Sequence, residues 1–448
     1  MPSHVVDSLF FRDLYGSAEM RAVFDDLNLL QKWLDFEAAL ARAEASVGLI
    51  PAEAAIEITR QAQGPNFDIA AIKTGIDKTV HPLVSIIWQF SERCEYDAGR
   101  YVHWGATTQD VMDTAIALQL KQAYPLFEQT LDQIILAASK LAQRYRDTPM
   151  AGRTHGQQAL PITFGFKVAV WISELKRHRI RLQSVKPRVL VGEFAGAAGT
   201  LASVAADGFE INRRLMAELG LEVPEIAWHT SRDGFAELAT TLAMVAATLG
   251  KIAHEIIDLQ KGEFGEVEEP FEHGKVGSST MPQKRNPMLC EAILAIARLT
   301  KQFGAVAIDS LYSEHERDWS TVQMEWSYIP ELCIMTHGAM ELSLRVLTGL
   351  IVYPDNMMRN LHSSGGLLLA ERVMLRLGEH IGRQQAHDII YEASMRSFEQ
   401  HIPFEQVLKA TSTVTEHLDP ATIDALLDPM QYTGLAAEFV DRVLADLG

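Results

Sequence analysis

Residues 238–259 read LATTLAMVAATLGKIAHEIIDL. Along them Leu238, Leu242, Val245, Leu249, Ile252, Ile256 and Leu259 follow one another at steps of 4, 3, 4, 3, 4 and 3. An α-helix brings every third or fourth residue to one face, so these steps draw a single apolar stripe sustained for about three heptads. Such a stripe predicts a long helix packed nearly parallel or antiparallel to its neighbours. Outward from it, Leu131, Ile134, Ile135, Ala138 and Leu141 mark a second apolar face at helical spacing. Arg21 to Val47, rich in Leu, Ala and Glu, predicts a third helix that stops before Gly48 and Pro51. Alternating patterns are scarce, and only Arg188 to Gly192 offers a short strand or a helix end. The expected class is all-α.

Two turns suggest where the chain divides. Arg100 to Gly105 carries Gly and aromatic residues before a long helical stretch, within which Pro125 is expected to kink or break the helix. Ile351 to Asp355 places a Pro-containing turn after another long helix. The expected domains are 1–105, a central bundle of long helices at 106–353, and 354–448, all helical.

The 448 residues are 48% apolar and 22% charged, as in ordered globular proteins. The net charge of −18 and pI near 5.3 argue against nucleic-acid binding through a basic surface. An acidic chain that takes an anionic substrate must gather its cations locally. Cys94, Cys290 and Cys333 stand far apart without metal-ligand spacing, which points to a reducing compartment. The N-terminus does not have the pattern of a signal peptide, and no run approaches the roughly 20 apolar residues of a membrane span. A cytoplasmic location is expected.

Residues 274–287, GKVGSSTMPQKRNP, concentrate two glycines, three hydroxyl residues, two prolines and cations in one interhelical segment. Glycine permits close backbone approach, and exposed N–H groups near Gly277, Ser278 and Ser279 suit an anion. Lys284 can neutralise a carboxylate. Asn286 followed by Pro287 suits a helix start, with Asn as N-cap and Pro at N1. The alternative is a solvated loop. In GRTHGQQ, residues 152–158, His155 lies among hydroxyl and amide side chains and is a candidate general acid or base; the alternative is a structural turn histidine. In VHWGATTQD, residues 102–110, Thr107, Thr108 and Gln109 offer neutral hydrogen bonds to a carboxylate or, alternatively, a helix cap. His81 and Arg317 are further candidates, Arg317 as an anion clamp or as part of a surface ion-pair network in EHERDWS, residues 314–320. Gly192 to Gly199 is expected to serve close packing.

GSSTMPQKRNP, residues 277–287, resembles the GSSxMPxKxNP signature of the fumarase/aspartase superfamily with every fixed position present. The other two segments resemble the remaining superfamily regions in the same order, and LLDPMQYTG, residues 426–434, is similar to the end of the adenylosuccinate lyase and carboxymuconate cycloisomerase branch. The resemblance implies a three-domain fold. It also implies a homotetramer whose core is about twenty long helices, with each active site shared by three subunits. It implies Ser278 as general base, His155 as general acid, Glu291 as the acid paired with that histidine, and Lys284 and Asn286 on the carboxylate beside the carbanion. Ser279 is the alternative base. Thr107, Thr108, Gln157 and a second histidine, His81, fall at substrate positions. No metal or redox cofactor is required.

The retained His155 predicts cleavage of a carbon–nitrogen bond in an N-substituted aspartate or similar succinyl compound, releasing fumarate. Residues 34–45, LDFEAALARAEA, resemble bacterial carboxymuconate cycloisomerases, so lactonisation of carboxymuconate is the alternative. A non-catalytic structural homologue is the alternative of another class, opposed by the intact Ser278, Lys284, Asn286 and His155.

Overall fold

The computed structural model describes residues 4–271, 280, 281 and 283–445. Helices dominate them. The predicted helix Arg21 to Val47 is two helices, α1 (Ala18–Val23) and α2 (Asp26–Ser46). Asp25 causes the break: its backbone is extended and its carboxylate accepts from Leu27 N at 2.9 Å, starting a new helix. A short helix α3 (Val84–Arg93) follows. The long α4 (Thr108–Arg144) contains Pro125 and continues through it, so the expected break does not occur. Proline in a helix interior costs about 3 kcal/mol. Tyr124 and Phe127 beside it are fully buried, and burying such side chains offsets a cost of that size.

Two strands, β1 (Pro149–Thr154) and β2 (Gln157–Thr163), form an antiparallel hairpin. Next comes α5 (Phe164–Val189). Arg188 to Gly192 is a helix end: the helix stops at Val189, and Val191 makes only an isolated parallel bridge to Glu222.

The stripe that opened the sequence lies on α6 (Asp233–Gln260), and all seven of its residues are between 0% and 3% exposed. Each buried Leu, Ile or Val side chain contributes about 1.5–3 kcal/mol against exposure. By length and composition alone α6 is apolar enough to cross a membrane, but 67% of its most apolar window is buried inside the fold, as in a core helix. Gly250 lets α6 approach closely, since a Cβ there would stand 2.6 Å from Ala297 Cβ.

The short β3 (Val267–Glu268) precedes α7 (Met288–Asp309) and α8 (Trp319–Gly349). Then β4 (Ile351–Val352) pairs with β3, and Pro354 starts the next helix, so the turn expected at Ile351 to Asp355 is present. The C-terminal helices include α9 (Ala370–Ile381) and α10 (Arg383–Gln400).

Two compact units partition the chain. The first comprises Met1–Leu131, His178–Gly250 and Ala292–Glu341. One of its cores packs Leu34, Leu40, Ile58 and Phe90 with Val111, Ile211 and Leu215. The second comprises Asp132–Arg177, Lys251–Glu291 and Leu342–Gly448, and one of its cores is built on Val373, Leu377, Phe404 and Leu408.

Candidate active site

In the first unit, the start of α4 is capped by Asp110, which reaches back to Thr107. Thr107 O accepts from Asp110 N, and Asp110 Oδ2 accepts from Thr107 N at 2.9 Å. This fixes Thr107, Thr108 and Gln109 at the helix start. The Asp110 carboxylate also accepts from Ala195 N, Gly196 N and His229 Nε2, at 3.1, 3.0 and 2.8 Å. Gly196 therefore serves more than packing: its φ of +77° turns the backbone so that its N–H meets Asp110. Gly192 does serve packing, since a Cβ there would lie 2.2 Å from Met216 Sδ.

Gln109 is buried. Its Nε2 donates to Asp113 Oδ2 at 3.0 Å and to the His229 carbonyl at 2.8 Å, while its Oε1 accepts from Arg317 Nε at 3.1 Å. Asp113 in turn pairs bidentately with Arg232, which also binds Glu325 and lies against the faces of Trp228 and Phe235. Burial pushes Glu325 up to about 7 even though Arg232 opposes the shift. Glu193 is pushed well above its ordinary range by burial and then by Asp113 and Asp110. The ion-pair network considered for residues 314–320 does not form among the described residues. Asp318 instead accepts from Ser320 N at the start of α8, and Arg317 donates to neutral oxygens.

His81 stands beside this helix start. Its Nδ1 accepts from Leu83 N and Val84 N, so the neutral ring carries its proton on Nε2, 3.3 Å from Thr108 Oγ1. Its ring stacks on Trp319. Burial, and then the charge of His103, lower the His81 pKa. Burial also opposes the charge on His103, but the charge and hydrogen bond of Glu37, 2.6 Å away, prevail and raise it. Sequence thus brought out His81, Thr107, Thr108, Gln109 and Arg317, which the fold gathers. It missed the Glu37–His103 pair and the acids, His229 and Arg232 beneath them, because the partners of Gln109 and Asp113 lie about 120 residues away with no local pattern to mark them.

In the second unit, His155 and Gly156 form the two-residue tip between Thr154 and Gln157 of the β1–β2 hairpin. Both have positive φ, 52° and 75°, as a primed hairpin turn requires. His155 and Gln157 are exposed. The strand behind them is anchored by Arg153, which pairs through both terminal nitrogens with the buried Glu266 at 3.0 and 2.7 Å and lies over the Phe264 ring. Asn360 also donates to Glu266.

Ser278 and Ser279 lie outside the described residues. Lys284 is exposed and its N–H donates to Met281 O. The expected cap is displaced by one residue: α7 starts at Met288, and Pro287 O accepts from Glu291 N. The capping side chain is Glu269, which accepts from Leu289 N and Cys290 N at 2.9 and 3.1 Å. Glu291 lies in the first turn and is exposed, and among the described residues neither its side chain nor that of His155 has a hydrogen-bond partner. The pairing expected between them is not made within one chain.

The ligand atoms of Asp110, Glu193 and His229 all lie within 4.8 Å of one another, close enough for a metal ion. The acceptors of Asp110 are already committed, whereas Glu193 Oε2 is buried with no hydrogen-bond partner among the described residues. Asp110 accepts four hydrogen bonds, including the one from His229, and Glu193 Oε1 accepts from Trp228 N. The four donors gathered on Asp110 make it a hydrogen-bonded foundation for the start of α4.

A family profile described as Lyase matches residues 16–299, and one described as Adenylosuccinate lyase C-terminus matches residues 366–443. The N-acetyl-S-(2-succino)cysteine lyase of Enterococcus italicus is 43% identical over 99% of this chain and 98% of its own. The 3-carboxy-cis,cis-muconate cycloisomerase of Pseudomonas aeruginosa is 40% identical over 99% and 97%. The solved 3-carboxy-cis,cis-muconate lactonizing enzyme from Pseudomonas putida matches with a TM-score of 0.93 at 36% identity, covering 98% of this chain and 99% of that one.

Proposed function

The chain belongs to the fumarase/aspartase lyase superfamily, and from that premise we propose that it removes the proton beside a carboxylate of a succinyl compound and releases fumarate. The observation that carries this reading is His155, held on an exposed, tightly turned tip by a buried ion pair. Ser278 takes the proton. The electrons pass into an aci-carboxylate held by Lys284 and Asn286, then form the new double bond as the bond to the leaving atom breaks. His155 protonates that atom, and Glu291 holds the imidazole. Among the described residues neither side chain has a partner, which supports a homotetramer with sites shared by three subunits. Gln157, Thr107, Thr108 and His81 bind substrate. The reaction needs no metal or redox cofactor and belongs in the cytoplasm.

Nitrogen is the expected leaving atom, because an amine departs only when protonated. Sulfur is the second reading, favoured by the relative that is 43% identical and is named for a succinylated cysteine. Cycloisomerisation remains the rival chemistry, favoured by the relative of that name. Proton NMR of the protein with adenylosuccinate, argininosuccinate, N-substituted aspartates, N-acetyl-S-(2-succino)cysteine and 3-carboxy-cis,cis-muconate decides among them. Fumarate from a succinyl compound is expected, with His155→Gln lowering kcat by about 10²–10⁴ for a nitrogen leaving group. Lactone from carboxymuconate and fumarate from none would overturn the proposal.

A further inference from the structure

Arg317 is a half-buried cation whose two acceptors among the described residues, Gln109 Oε1 at 3.1 Å and Gly196 O at 3.4 Å, are both neutral. Asp110 and Asp113, on the same helix as Gln109, are already taken. Asp110 is saturated by His229 and three backbone N–H groups, and Asp113 by Arg232 and Gln109. Arg317 is thus oriented without being neutralised. The orientation depends on which way the Gln109 amide faces. Both of its N–H groups point at acceptors, the Asp113 carboxylate and the His229 carbonyl. A flipped amide would set its oxygen against those two oxygens and its N–H groups against a guanidinium. Gly196, the second acceptor, is fixed by the bond from its own N–H to Asp110.

We infer that Gln109 is a positioning residue: it aims Arg317, charge intact, at a carboxylate of the substrate. This rests on the reading of the substrate as a succinyl compound. A carboxylate at position 109 would orient the guanidinium equally well but would quench its charge, so an amide is the side chain that does both tasks. Gln109 then acts through Arg317 rather than by touching substrate, and the polar groups beneath it act to hold the amide in one sense.

The test compares wild type, Gln109→Met, Gln109→Glu, Arg317→Met and the Gln109→Met/Arg317→Met double variant as full chains, with thermal unfolding as a check on folding. On the succinyl substrate, KM should rise by about 10- to 100-fold in each single variant, with kcat within about threefold, as for loss of a charge-assisted contact made equally in ground and transition states. The double variant should be no worse than Arg317→Met alone. A wild-type KM in either Gln109 variant, or full additivity in the double variant, overturns the inference. The same proteins are titrated with fumarate by calorimetry. Fumarate binding that weakens in all variants supports the inference even if no succinyl compound is turned over, a result that would fault only the chemical reading. Fumarate binding unchanged by Arg317→Met, or undetectable in wild type, overturns it.

Discussion

Around Gln109 every amide group is spent inside the fold, and the Asp113 and Glu325 carboxylates beneath it are paired with Arg232. At His155 the arrangement is reversed: the anchoring pair Arg153–Glu266 is saturated, yet the tip it supports carries an imidazole with no partner among the described residues. The first region spends its hydrogen-bonding capacity on fixing direction. The second spends it one step back and leaves the reactive group free. Two kinds of residue follow, those whose partners are all present in the fold and those, such as His155, whose side chains have none among the described residues.

The contrast breaks most sharply at Arg232. It is fully buried between Asp113 and Glu325, so Arg232→Met would leave two carboxylates uncompensated and should cost about 3–5 kcal/mol, read from urea unfolding. Arg153→Met is a smaller and more local break, because Asn360 still bonds Glu266. About 2–3 kcal/mol of local stability should be lost, seen as faster hydrogen exchange in β1 and β2, with kcat falling as His155 loses its support. The gentlest adjustment is Glu44→Gln on α2. Burial, and then the charge of Glu37, push Glu44 up to about 9 from an ordinary 4.5. The folded chain holds that proton more tightly than the unfolded chain. Its contribution is therefore full below about pH 4.5 and is lost as pH rises through about 9. The variant's melting temperature should fall less than the wild type's between about pH 5 and pH 9; parallel curves would show that Glu44 does not set this slope.

The apolar stripe of α6 was legible because heptad spacing survives any packing detail, and all seven of its residues proved buried. The break at Asp25 was hidden by the Leu- and Ala-rich residues around it, although an Asp ahead of an apolar run is itself a start signal. The hairpin at Pro149 to Thr163 was missed because its strands lack alternation; the His155–Gly156 pair was the available sign of a turn. Of the candidate site, the residues next to turns and glycines stood out. Those that merely hold them did not, because a buried ion pair such as Arg232–Asp113 joins distant segments and leaves no spacing to read.

The tip at His155 has a consequence for how this chain can change. Surface turns usually absorb insertions and deletions freely. Here the turn has two residues, and it sets the facing of Arg153 with Gln158 and of Thr154 with Gln157. One residue added or removed would slip that register and exchange the two faces of the hairpin, turning Arg153 away from Glu266. New specificity at this point must come by exchanging side chains at constant length, so a library built there should vary identity and leave the number of residues alone.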